Sequence, residues 1–227
     1  MGLPNKLLEA LKNAGLEKPT PIQCEAIPVA VQGSDLIGVA QTGSGKTLAY
    51  ALSVLTILSE KTKGRALILL PSRETAVQVH DVILPFCTEL AITVCLAVAG
   101  IPNAIQTKQL KKNPQLIIAT PGRLEEHLKN NKLMLQGLSI LVLDEADRML
   151  SMGFEAQLAF MKSTLRGSQQ TLMFAATFGP LGRTHCRNVY GERSCADQVK
   201  GCRNARGNTR TEGFFSKPLT KTKSPTG

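Results

Sequence analysis

The chain has 227 residues, 43% of them apolar, with 27 basic against 17 acidic side chains, no Trp and only two Tyr. That is apolar content enough for one large domain with an aliphatic core. No 18-residue apolar run occurs, which leaves no segment able to cross a membrane as a helix. The charge is uneven: residues 1–180 carry 17 basic and 14 acidic side chains, residues 181–227 carry 10 and 3. A polyanionic partner for the first 180 residues must therefore be argued from sites and not from bulk charge. The cysteines stand singly at Cys24, Cys87, Cys95, Cys186, Cys195 and Cys202. Without a paired CxxC they are expected to be reduced thiols.

In chain order, Leu7, Leu11 and Ala14 share one face of a helix over 6–14 that Gly15 closes. Pro19 and Pro21 make the next segment read as a turn. Continuous apolar runs follow at 36–40, 66–70, 92–98, 115–119, 140–144 and 171–176. Runs that do not alternate belong to strands covered on both faces, as in parallel sheets. Helical patterns separate them at 46–59, 73–90 (where Pro85 is expected to kink or split the helix), 104–112, 122–130 and 153–165. This alternation predicts an α/β fold with an open, doubly wound, mostly parallel sheet, whose ligands bind beyond the C-terminal strand ends. Past Phe178 the pattern stops. Residues 181–227 are rich in Gly, Arg, Ser and Thr without an apolar period, and are expected to form a disordered basic tail after a domain spanning 1–180. Cys24, Cys87 and Cys95 read as small core residues, and His80 and His127 as helix-surface residues.

Two of the strand ends carry chemistry. The first run leads into Ala40-Gln41-Thr42-Gly43-Ser44-Gly45-Lys46-Thr47 and then into a helix. Glycines in such a turn let backbone N–H groups face phosphate oxygens, and the helix N-terminus adds its positive end. Lys46 can reach the β- and γ-phosphates of a bound ATP, and the Thr47 hydroxyl can ligate Mg²⁺. The plain alternative is a Gly-rich turn with an incidental lysine. The fifth run ends in Asp144-Glu145-Ala146-Asp147. An aspartate there can hold the metal and the next carboxylate can polarise an attacking water, so Asp144 is the metal partner and Glu145 the general base. Taken alone, the same residues would be an acidic helix start. Lys46, Asp144 and Glu145 form the expected catalytic set.

"AQTGSGKT" and "DEAD" on one α/β sheet resemble the first RecA-like domain, a P-loop NTPase fold, of a DEAD-box RNA helicase. Residues 15–23, "GLEKPTPIQ", resemble its Q motif. Residues 71–76 ("PSRETA") and 120–123 ("TPGR") resemble motifs Ia and Ib, and 175–177 ("AAT") stand where SAT is expected. The resemblance covers residues 1 to about 178. It implies an ATP- and Mg²⁺-dependent enzyme that clamps single-stranded RNA. Gln23 would read the adenine edge. Pro71, Arg73, Gly100, Thr120, Pro121, Gly122 and Arg123 would grip the RNA backbone, and Asp147 and Thr177 would couple the two sites. It further implies a monomer with a cytoplasmic location, nuclear or nucleolar in a eukaryote.

The chain departs from the pattern at Leu16, where the Q motif has Phe, and at Ala99, where a second Gly is usual. Ala175 replaces a Ser whose hydroxyl would bond Asp147, leaving Thr177 to do so. Nothing in 181–227 resembles the second RecA-like domain that supplies arginine fingers, so these residues alone are expected to turn over ATP slowly. The tail admits three readings: a truncated or frame-shifted product, a basic RNA-binding extension, or a zinc site from His185, Cys186, Cys195 and Cys202. The alternative to a helicase is a non-enzymatic ATP- and RNA-binding fragment; a DNA helicase of a related group is a third possibility.

Overall fold

The computed structural model describes residues 2–60, 64–165, 169–177 and 198–200. Six strands form the predicted parallel sheet: β1 (Leu36–Val39), β2 (Arg65–Leu69), β3 (Val94–Ala97), β4 (Leu116–Ala119), β5 (Leu138–Leu143) and β6 (Gln170–Ala175). Short β7 (Gln198–Lys200) pairs parallel to β1, giving the order β3-β4-β2-β5-β6-β1-β7. β7 lies inside the stretch expected to lack order. It covers backbone groups that β1 would otherwise leave open at the sheet edge. The rest of 178–227, including the candidate zinc residues, lies outside the described residues.

The sheet has helices on both sides, and each strand serves both. Leu36, Ala66, Ile68, Ile118, Val142, Leu172 and Phe174 point into one core. They meet α1 (Asn5–Asn13), α2 (Pro21–Val31), α3 (Lys46–Glu60) and α4 (Arg73–Glu89) there. The intervening Ile37, Leu67, Leu69, Ile117, Leu141, Leu143 and Met173 point into the other. That core is closed by α5 (Asn103–Leu110), α6 (Pro121–Asn130), a 3₁₀ turn (Lys132–Leu135), α7 (Ala146–Ser151) and α8 (Glu155–Thr164). A strand with an apolar layer on either side has no polar face, which is why the runs were continuous.

α3 is buried continuously from Ala49 to Leu58. Its Ser53 and Thr56 hydroxyls are accommodated by donating back to the Ala49 and Leu52 carbonyls, at 2.8 and 2.7 Å.

Two expectations are corrected. The segment from Pro21 is a helix, because proline at the first helical position has no N–H to lose. α4 is not split at Pro85: it runs as one helix through that residue, which sits on its exposed side where water can satisfy the freed carbonyl. The helix expected at 153–165 is present as α8, and a further helix, α7, precedes it, running straight on from the acidic motif.

Candidate functional site

β1 and β5 flank β6, so the loops leaving β1 and β5 open beside each other at the C-terminal edge. In the first loop, Gly43 and Gly45 have φ of 79° and 93°, backbone that side chains disfavour. A Cβ at Gly45 would also come within 2.6 Å of Gln23 Nε2 and 2.7 Å of Thr20 Oγ1. The turn thus lies against the start of α2. Lys46 Nζ donates to the Ala40 carbonyl at 2.5 Å and the Gln41 carbonyl at 3.2 Å, which places it inside the turn. Ser44 Oγ and Thr20 Oγ1 are buried without partners.

Asp144 is 5% exposed. Its Oδ2 accepts from the hydroxyl of fully buried Tyr50 at 2.8 Å, and its Oδ1 from the Glu145 amide at 2.9 Å. Burial pushes the Asp144 carboxyl up, against the Tyr50 and Glu145 hydrogen bonds and the Lys46 charge, which pull it down. Burial also pushes the Tyr50 phenol well up, followed by the Asp144 charge, so the proton stays on tyrosine and is donated. Glu145 is left-handed at φ 51°, ψ 45° and ends the strand in a sharp turn. Its Oε2 lies 3.2 Å from Arg148. Asp147 Oδ2 takes both the amide (3.0 Å) and the hydroxyl (3.1 Å) of Thr177, just beyond β6. Ala175 is fully buried, and its carbonyl accepts from the Ala40 amide at 3.1 Å.

The donor set fits the ligands implied above. The turn offers amides, a lysine and an unpartnered Ser44 hydroxyl to phosphate. Thr47 and Asp144 offer the hard oxygens that Mg²⁺ prefers.

A second constellation sits over β3, β4 and β2, the other half of the sheet. Their loops carry Gly100, Thr120-Pro121-Gly122-Arg123 and Pro71-Ser72-Arg73 side by side. Gly100 has φ 82°, and any Cβ there would overlap the exposed Arg73 guanidinium. Nothing lies within 4 Å of a Cβ at Gly122. Arg123 is held: its guanidinium donates to Ile101 O (2.9 Å), Gln106 Oε1 (3.1 Å) and Glu126 Oε2 (2.5 Å).

Sequence reasoning missed two residues here. Gln106, fully buried on α5, donates to the Val98 and Ile101 carbonyls at 2.7 and 3.1 Å and so fixes the loop around Gly100. Its Oε1 faces His127 Nε2 at 2.9 Å, so that nitrogen carries the proton. His127 is therefore not a surface residue; it is 4% exposed, and burial, then the Arg123 charge, hold its imidazole below the usual range. The other is Tyr50, one turn beyond Thr47. Cys24 is exposed, against expectation, while Cys87 and Cys95 are buried. His80 is part-buried on α4, facing Asp81.

A family model described as DEAD/DEAH box helicase matches residues 20–183. The chain is 45% identical over 180 residues to the probable ATP-dependent RNA helicase ddx27 of Dictyostelium discoideum, a match covering 77% of this chain and 23% of that protein. Among solved structures it resembles a hypothetical ATP-dependent RNA helicase from Sulfolobus tokodaii, with TM-score 0.77, 27% identity and coverage of 87% and 57%. It also resembles S. cerevisiae dbp5 bound to nup159, gle1, IP6 and ADP, with TM-score 0.75, 32% identity and coverage of 87% and 52%. The matched segment is between 22% and 42% of the length of the curated relatives.

Proposed function

This chain belongs to the DEAD/DEAH box helicase family, and we propose that it binds ATP with Mg²⁺ and the backbone of single-stranded RNA as the first domain of an ATP-dependent RNA helicase. The observation that carries this reading is the 2.8 Å bond between Tyr50 and Asp144. It brings the helix that opens at Lys46 against the acidic tip of β5, where a nucleotide's phosphates and metal must meet.

Each residue's part follows from its position. The amides of 43–47 and the Lys46 ammonium bind the phosphates. Thr47 and Asp144 hold the metal, which when bound neutralises charge on the phosphate oxygens. Glu145, turned out of the strand, orients the attacking water. Asp147 answers to the nucleotide through its neighbours in the acidic motif and to β6 through Thr177. Arg73 and the backbone at Gly100, Thr120 and Gly122 contact RNA phosphates and sugars, while Arg123 and Gln106 hold the loop that presents Gly100.

Gln23 gives the base preference. Its Oε1 accepts from the Thr20 amide at 3.0 Å and its Nε2 donates to the Gly45 carbonyl at 3.1 Å. One donor hydrogen and one acceptor lone pair remain. Adenine offers the complementary pair at N6–H and N7, whereas guanine offers two acceptors at O6 and N7. Gln23→Ala is accordingly expected to weaken ATP binding about tenfold and leave GTP binding unchanged, as read by competition against a fluorescent nucleotide. Equal loss for both nucleotides would show that Gln23 shapes the turn without reading the base.

Binding, rather than turnover, is the decisive measurement. Among the described residues no arginine is free to reach the phosphates: Arg65 holds three carbonyls, Arg123 its loop, Arg148 Glu145, and Arg73 lies on Gly100. An arginine finger is worth roughly 10³–10⁵ in rate, and none of the described arginines is placed to act as one. Titration with a fluorescent ATP analogue in Mg²⁺, beside a labelled single-stranded RNA, should give two saturable isotherms. The RNA isotherm should weaken with salt and ignore sequence. Absence of ATP binding by a chain with intact circular dichroism would overturn the reading.

A further inference from the structure

Tyr50 is fully buried, yet its hydroxyl reaches the edge of the proposed nucleotide site. It is the donor to Asp144 Oδ2. Thr47, the other residue assigned to the metal, stands one helical turn earlier on the same helix, α3. One buried hydroxyl therefore holds a carboxylate assigned to the metal, from the helix that also carries Thr47. Its own position is fixed from behind: the Tyr50 ring packs against Phe174 with centroids 5.4 Å apart, and Phe174 lies on Gly38, where a Cβ would come within 2.6 Å of the ring. We propose that Tyr50 is a positioning residue for the metal site, holding the Asp144 carboxylate in the geometry that a divalent cation on ATP requires.

The physical case is the state of Asp144 without it. The carboxylate is 5% exposed and water does not replace a lost donor easily. Oδ1 is held by the Glu145 amide, so loss of the Tyr50 bond frees the group to rotate about that single contact. Partners that orient metal ligands in this way typically control metal affinity by 10–100-fold.

The inference rests on the nucleotide-binding reading, and the test separates the two. Tyr50→Phe keeps the ring and its packing. The readout is the Mg²⁺ concentration that half-saturates binding of a fluorescent ATP analogue, which is expected to rise about tenfold or more, with binding in EDTA unchanged. In an Asp144→Asn background, Tyr50→Phe should add nothing. A second measurement needs no substitution of Tyr50. With the ring carbons of the two tyrosines labelled and Tyr190→Phe used for assignment, the Tyr50 resonance should shift when Mg²⁺ is added to the ATP-bound protein. An unchanged Mg²⁺ midpoint or an unmoved resonance, in protein that binds ATP, overturns this inference alone. Failure of the unsubstituted chain to bind ATP overturns it together with the reading beneath it.

Discussion

Lys46→Ala is expected to lower ATP affinity by about 10²–10⁴-fold while shifting the melting temperature by no more than a couple of degrees. The ammonium sits inside the turn, donating to the Ala40 and Gln41 carbonyls at 2.5 and 3.2 Å. Phosphate oxygens bearing full charge are stronger acceptors than those carbonyls. Two charge-assisted hydrogen bonds are worth roughly 3–6 kcal/mol together, which is the stated range in affinity. Little of the fold depends on it, because the aliphatic cores lie below the loop and the Lys46 contacts are local. Lys46→Arg should not restore binding: a planar fork needs more width than a point charge, and the turn is closed on one side by Gln23 and Thr20. Isothermal titration with ATP and Mg²⁺ checks both variants. Affinity within threefold of the unsubstituted chain would remove the lysine from the phosphate site.

The sheet was legible because its signal is local. A run such as Ala66-Leu67-Ile68-Leu69 names a two-faced strand without reference to anything else, and its residues do divide between the two cores. The phosphate turn and the acidic tip were legible for a similar reason, since each is a contiguous segment joining a strand to a helix. What escaped was chemistry spread across the chain. Tyr50 and Asp144 are 94 residues apart, and Gln106 joins the loop at 98–101 to His127. No spacing rule links such pairs; register between elements does. His127 is a different case. Leu124, His127 and Leu128 stand at i, i+3 and i+4 on α6, all on the buried face, so the period itself carried the answer. Cys24 falls outside the buried set of α2 (Ile22, Gln23, Ala26, Ile27 and Ala30), and once that segment is known to be helical its exposure follows. β7 offered nothing to read: three residues with one β-branched side chain make no pattern.

Gly38 and Phe174 are expected to be energetically coupled, and the coupling tests how the site is supported from below. Phe174 is fully buried and sits directly across from Gly38 in the β1–β6 register. Phe174→Ala should cost about 3–5 kcal/mol, a fall in melting temperature of roughly 6–20 °C for a domain of this size. Gly38→Ala alone should cost about 1–3 kcal/mol, because the new methyl would lie 2.6 Å from two ring carbons with the core closed around them. In a Phe174→Leu background those ring atoms are gone and the methyl enters the space they leave. The double variant should then be more stable than the sum of the two single losses by about 1 kcal/mol or more. Strict additivity in thermal or denaturant unfolding would mean that the strand pair yields as a whole and that the ring does not rest on Gly38. The same series reads out on function. Phe174 also carries the Tyr50 ring, so Phe174→Leu should raise the Mg²⁺ requirement for ATP binding, which a purely structural wedge would leave unchanged.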